Sequence, residues 1–400
     1  MRFNPFIFQA DSYPIYRQLR TEDPIHKSFT GAWVLTRYAD IKFVLQDPRF
    51  HADRVPERIA KGSQRIDPHE FQMMTENLQK WFVFLNPPDH TRLRSVASKA
   101  LVYWTTDRLR PFLQETVDRL LDNFRQQGTM EVINDFARPL SKALMGRMFQ
   151  LPEPDHDRLH YWTDELFYQI FEPMLSLDGY KNLNQVSLDL IEYFKVLIND
   201  RKNNLQDDLL SDLITARERG EKLEEEDLLS ICVLLISGGQ TTGINLIGNG
   251  VLSLLRNPEQ LEKLQQHPEL IHSAVEELLR YEGPTQMIAR EAAERVEIDG
   301  KVIEPGELVY LYLASANRDP EQFPDPDRLD ITRGEKSRHL SFGAGIHYCV
   351  GATQGRTQGQ IAINSLVQQI PDIQLQNEPI EWRKSIVHRG LKALHLTCKL

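Results

Sequence analysis

Apolar residues recur every three or four positions from Leu113 to Phe124, from Leu190 to Ile198 and from Leu228 to Leu255. That spacing lines one face of an α-helix, and the third run predicts an unusually long one. Turn residues such as Pro152 and Pro258 punctuate the pattern, so the stretch from about Arg108 to Pro284 reads as almost wholly helical. Past Arg290 the period shortens. Val296-Glu297-Ile298 and Val302-Ile303 flank Asp299-Gly300, the signature of a two-residue hairpin, and Leu308 to Leu313 reads as a further strand. Near the start, Trp33-Val34-Leu35 follows the Gly31 turn as another short strand-like piece. The fold class expected is mainly α with a small β portion. No internal repeat and no Gly/Ser-rich linker interrupts the chain, so residues 1–400 are expected to form a single domain.

Composition narrows the class without naming the chemistry. Hydrophobic residues at 41% and charged residues at 26% are ordinary for a globular protein. A net charge of -10 gives no electrostatic case for nucleic acid, whose phosphates attract basic surfaces. The acidic run Glu224-Glu225-Glu226-Asp227 reads as a solvated helix start. The first residues, Met1 to Phe6, lead into a polar segment, and no uninterrupted apolar run is long enough to cross a bilayer. Three widely spaced cysteines, Cys232, Cys349 and Cys398, suggest neither a disulfide framework nor a zinc knuckle, and fit a reducing cytoplasm.

One of those cysteines stands in a distinctive setting. Phe342-Gly343-Ala344-Gly345-Ile346-His347-Tyr348-Cys349-Val350-Gly351 sets a lone thiol in a glycine-rich turn just before a helical pattern. A helix N-terminus favours thiolate over thiol, which would make Cys349 a metal ligand or nucleophile, although an isolated cysteine in a glycine-rich turn is more often a buried structural one. Within the long helix, Ser237-Gly238-Gly239-Gln240-Thr241-Thr242 places two glycines where each costs about 1 kcal/mol relative to alanine. Either another helix packs closely there, or something flat lies against it. Asn86-Pro87-Pro88-Asp89-His90-Thr91-Arg92-Leu93-Arg94 opens a helix on which His90 and Arg94 share a face. Glu277 and Arg280, three apart, can pair on another.

The cysteine stretch closely resembles the haem-ligating loop of the cytochrome P450 family, with Phe342, Gly345, His347, Cys349 and Gly351 in the family's places. The resemblance implies a P450 fold with haem between the long central helix and the cysteine-loop helix, and Cys349 as axial thiolate of haem b. His347, His90, Arg94 and Arg290 would then hold the propionates, which need cationic or hydrogen-bonding partners. Thr241 falls at the oxygen-activating position, but the family's usual Asp or Glu before it is Gln240, an amide that cannot ionise. Glu277, Arg280 and Arg328, the last from Phe323-Pro324-Asp325-Pro326-Asp327-Arg328, would form the family's structural triad. Gln354-Gly355 replaces the more usual Leu-Ala after the cysteine and should loosen that helix slightly.

The ending Trp382 to Leu391 resembles tails of soluble bacterial P450s that act on polyketides and related natural products. The function implied is a haem-thiolate monooxygenase, expected as a cytoplasmic monomer with no membrane anchor. Its electrons would come from an external ferredoxin or flavodoxin with its reductase, docking near Arg92, Lys99, Arg338 and Arg356. The substrate expected is an apolar polyketide or other secondary metabolite, free or carrier-bound, bordered by Phe82, Phe84, Phe167, Phe171, Met174, Leu175 and Met287. Two alternatives stand beside it: a non-catalytic P450-like scaffold for a biosynthetic partner, and a peroxide-driven haem enzyme.

Overall fold

A computed structural model describes residues 10–52, 54–63, 69–104, 106–172, 175–218, 223–334 and 338–398. Helix accounts for about 61% of it and strand for about 10%. The helices that carry the argument are α1 (Asp89–Tyr103), α2 (His156–Ile170), α3 (Leu177–Asn203), α4 (Glu225–Leu255), α5 (Ile271–Glu282) and α6 (Ala352–Gln369). Ten short strands are described: β1 (Ile25–Lys27), β2 (Trp33–Leu35), β3 (Phe50–Ala52), β4 (Thr129–Glu131), β5 (Ile288–Ala292), β6 (Val296–Ile298), β7 (Lys301–Ile303), β8 (Leu308–Leu311), β9 (Gln374–Leu375) and β10 (His395–Thr397).

The chain divides into two units. One comprises Met1–Phe50, Arg110–Leu140 and Thr242–Leu400; the other comprises His51–Leu109 and Ser141–Thr241. The first holds a sheet in the order β1-β2-β8-β5-β3, its last strand opening at Phe50. Parallel pairing sets Trp33 opposite Val309, and antiparallel pairing sets Arg290 opposite Val309 from the other side. Leu35, Ile41, Val309, Leu311 and Phe323 share the core beneath this sheet. The predicted hairpin forms as β6–β7, with Val296 opposite Ile303; Asp299 at φ 49° and Gly300 at φ 73° make the turn.

In the second unit α2 packs along α3, and α1 packs on the helix Leu209–Glu218. Trp104, which follows α1, donates from Nε1 to Asp212 at 2.7 Å. An aromatic chain runs through the same unit: Trp81 stacks on Phe84, and Phe171 touches both Phe84 and Phe167, with ring centroids 5.8–6.0 Å apart.

Three expectations need correction. The helical stretch is interrupted by β4, which the local pattern does not reveal because its partner β10 lies near the far end of the chain. The strand from Leu308 ends at Leu311; Leu313–Ala316 is a short helix, begun once the Tyr312 amide has bonded Leu35. Glu224 and Glu226 are exposed, as a solvated start requires. Asp227, however, is buried, because Arg92 reaches it at 2.6 Å and Lys80 at 3.6 Å. Helix α4 is also long and apolar enough to cross a bilayer by length and composition, and 72% of its apolar window is buried inside the protein, as in a core helix.

Candidate functional site

Within the first unit the cysteine stretch closes on itself through its backbone. Gly343 N–H bonds Leu340 O at 2.8 Å, Tyr348 N–H bonds Gly345 O at 3.1 Å, and Cys349 N–H bonds Phe342 O at 2.9 Å. Both Gly343 and Gly345 sit at φ +70°, a left-handed region costly for a side chain. A Cβ on Gly345 would also lie 2.2 Å from the Leu45 carbonyl oxygen, so this glycine has two reasons to be one. Cys349 is exposed, whereas Cys232 is buried and Cys398 half-buried. Gly351 caps α6, and a Cβ there would meet nothing within 4 Å.

A charged brace holds this loop, and no local sequence motif announced it. Arg356 on α6 pairs with Glu276 on α5 at 2.6 and 2.9 Å, donates to the Tyr348 hydroxyl at 3.0 Å, and lies 4.5 Å over the Phe342 ring. His339 adds an ion-pair contact to Glu276 at 3.3 Å. Burial would raise the Glu276 pKa, but hydrogen bonds from His339 and Arg356 outweigh it and bring the value to about 2. Arg356 is therefore engaged within the fold, and Arg92 is likewise tied to Asp227 and Asp89.

The triad forms with one exchange of partner. Glu277 and Arg280, fully buried, pair through two 2.7 Å bonds. Arg328 contributes its backbone carbonyl to Arg280 at 3.1 Å, while the guanidinium that reaches Glu277, at 3.2 Å, belongs to Arg333. The proline-rich segment turns before Arg328 can point inward, so the third arginine comes five residues later. Arg290 is buried on β5 and also donates to Ala289 O at 2.8 Å. His347 is half-buried in the loop, and Met287 is buried just before β5.

The second unit carries the remaining candidates. His90 is buried and Arg94 half-buried, one turn apart on α1. Gln240 and Thr241 are both buried on α4 and engage α2: Gln240 Oε1 lies 2.9 Å from His160 Nδ1, and the Thr241 hydroxyl donates to Asp164 Oδ1 at 3.0 Å. The helix does not open at these threonines, because the Thr241 hydroxyl bonds another helix instead of its own ladder. An added Cβ at Gly239 would meet Met145 at 3.1 Å, which is close packing; at Gly238 it would meet nothing within 4 Å. Close packing thus accounts for Gly239, while no close neighbour requires a glycine at 238. Phe82 and Phe167 are buried, Phe84, Phe171 and Leu175 half-buried, and Met174 lies outside the described residues.

Comparison with known proteins decides the family. The cytochrome P450 family model matches residues 32–371. The chain belongs to the cytochrome P450 family. This P450 is 41% identical over 393 residues to the biotin biosynthesis cytochrome P450 of Bacillus subtilis, covering 98% of this chain and 97% of that protein. It is 35% identical to the polyketide biosynthesis cytochrome P450 PksS of the same organism, covering 97% of this chain and 96% of the relative. Among solved structures, P450BioI in complex with a hexadec-9Z-enoic acid ligated acyl carrier protein superposes with a TM-score of 0.88 at 40% identity, covering 97% of this chain and 99% of that one. The protein is thus a P450-family oxidoreductase whose cofactor is haem b.

The residues fit that group. A thiol exposed on a glycine-shaped loop is a soft donor of the kind iron takes as thiolate, and in the same unit the buried Arg290 and half-buried His347 suit a dianionic macrocycle. When bound, haem supplies the oxygen chemistry; the chain supplies the ligand, the positioning and the protons.

Proposed function

We propose that this protein is a haem-thiolate monooxygenase that inserts one oxygen atom from O2 into an apolar natural-product substrate, as one P450 domain spanning residues 1–400. The observation that carries this reading is the exposed Cys349 thiol on a loop fixed by the Cys349–Phe342 backbone bond and two left-handed glycines. His90, Arg94, Arg290 and His347 take the propionates, and Phe342 and Gly351 leave room beside the sulfur. Electrons come from an external ferredoxin or flavodoxin with its reductase, in the cytoplasm, and the enzyme acts as a monomer. Named monooxygenase relatives support catalysis over a scaffolding role.

A second reading of substrate delivery has its own support. The similarity to a P450 crystallised with an acyl-loaded carrier protein favours an acyl or polyketide chain presented on a carrier.

Binding of carbon monoxide to the reduced protein tests the ligand. The thiolate absorption signature is expected in the wild type and lost in Cys349→Ser, and its absence from haem-loaded wild type would overturn the reading. Titration of the ferric protein with free fatty acids, polyketide lactones and acyl-loaded carrier protein then sorts the substrates. A saturable shift towards high spin with the carrier form alone supports tethered delivery.

A further inference from the structure

Position 240 lacks the carboxylate that could hold a proton, yet two ionisable side chains stand against this segment from α2. His160 and Asp164 are one helical turn apart and so share a face. They receive the consecutive residues Gln240 and Thr241, at 2.9 and 3.0 Å. His160 is 7% exposed, while Asp164 is half-buried and retains access to water. We infer that Asp164 reloads the Thr241 hydroxyl with protons, replacing in space the acid missing at position 240, and that His160 anchors Gln240 aside from that path. This inference rests on the monooxygenase reading above.

The step balances without any redox partner. Protonated Asp164 donates its O–H to Thr241 Oγ1 as the threonine's own proton leaves for the reaction site. One O–H bond breaks at the acid, one forms at the hydroxyl, and the resulting carboxylate takes a proton from water. The 3.0 Å contact between the Thr241 hydroxyl and Asp164 Oδ1 is the path along which that proton passes. Among the contacts described, His160 on the same helix and neutral Gln240 on α4 face this point. On α3, Asn182 donates instead to Glu165, and Lys142 pairs instead with Asp157.

Asp164 acts through Thr241 and is a positioning residue, so its test must move something a structural role would not. Asp164→Asn keeps an acceptor for the hydroxyl but carries no acid proton. Its ligand-induced spectral shift should match wild type, while product formed per electron consumed falls about 10²-fold, the scale of general acid catalysis. The solvent isotope effect should rise, and Asp164→Glu should restore part of the yield. Independently of turnover, infrared difference spectra of wild type against Asp164→Asn should contain a side-chain band that Thr241→Val shifts, with or without haem. An unchanged isotope effect in Asp164→Asn, or a band indifferent to Thr241→Val, would overturn the inference. Failure of the family reading would show separately, as a missing thiolate signature in the wild type.

Discussion

Up to Thr241, helix α4 ties polar side chains to partners: Ser237 back to Val233 O at 2.7 Å, Gln240 to His160 and Thr241 to Asp164. Beyond it, in the other unit, glycines let apolar and amide groups close in. A Cβ on Gly243 would stand 2.4 Å from Gln358 Oε1, on Gly248 2.6 Å from Ile133 Cδ1, and on Gly250 2.9 Å from Ile363 Cδ1. Each glycine costs the helix about 1 kcal/mol against alanine. In the second half dense packing offsets that cost. At Gly238 an added Cβ would meet nothing within 4 Å, so no close contact requires its small size. The half beyond Thr241 is shaped by what it packs against; the half before it combines polar ties, the close contact of Gly239 with Met145 and the open side of Gly238.

The packed half can be broken most severely through the helix it leans on. Gly250 packs near Leu278 on α5, whose Glu277 and Arg280 are wholly buried. Arg280→Leu leaves Glu277 with the Arg333 guanidinium at 3.2 Å and the Asp330 backbone amide at 2.9 Å, and strips the Arg280 donors from three backbone carbonyls. Removing one member of a buried pair typically costs about 3–5 kcal/mol. Denaturant unfolding of the haem-loaded protein should show that loss, whereas Arg328→Leu, whose backbone does the work, should cost under about 1 kcal/mol.

The same half predicts a pH dependence. Asn249 donates to Arg389 O at 3.0 Å, and the neighbouring His388 is buried. Burial, and then the Arg383 charge, lower its pKa from 6.5 to about 3. Because the folded value lies below the unfolded one, the neutral imidazole's contribution is complete above about pH 6.5 and is lost as pH falls towards 3. His388→Asn should therefore flatten the acid limb of stability in that window by a few kcal/mol at the shift seen. An acid limb identical to wild type would show that this half of the helix and the tail against it are wetter than they look.

These cases mark what the chain declares locally. The cysteine loop, the Asp299-Gly300 hairpin and the length of α4 are legible because each is written in contiguous residues with a fixed geometry. Strand β4 is not, since three residues after Gly128 become a strand only by pairing with His395–Thr397. Arg333 was missed for Arg328 because the direction of a guanidinium depends on how a proline-rich turn closes. His160 and Asp164 carry no motif, and only the packing of α2 on α4 makes them partners of Gln240 and Thr241.

Paired glycine substitutions sharpen the contrast with effects of opposite sign. Gly248→Ala gains helix propensity but forces a methyl into buried Ile133, and overpacking of this kind costs about 1–3 kcal/mol, so the net change should be destabilising. Gly238→Ala meets no neighbour and should gain up to about 1 kcal/mol from propensity alone. If the space beside Gly238 serves the haem and its ligands, that gain comes with a weaker ligand-induced spectral shift in the loaded enzyme. A Gly238→Ala protein that is more stable and binds every ligand as the wild type does would leave this glycine without a purpose, and the two halves of α4 would differ in packing alone.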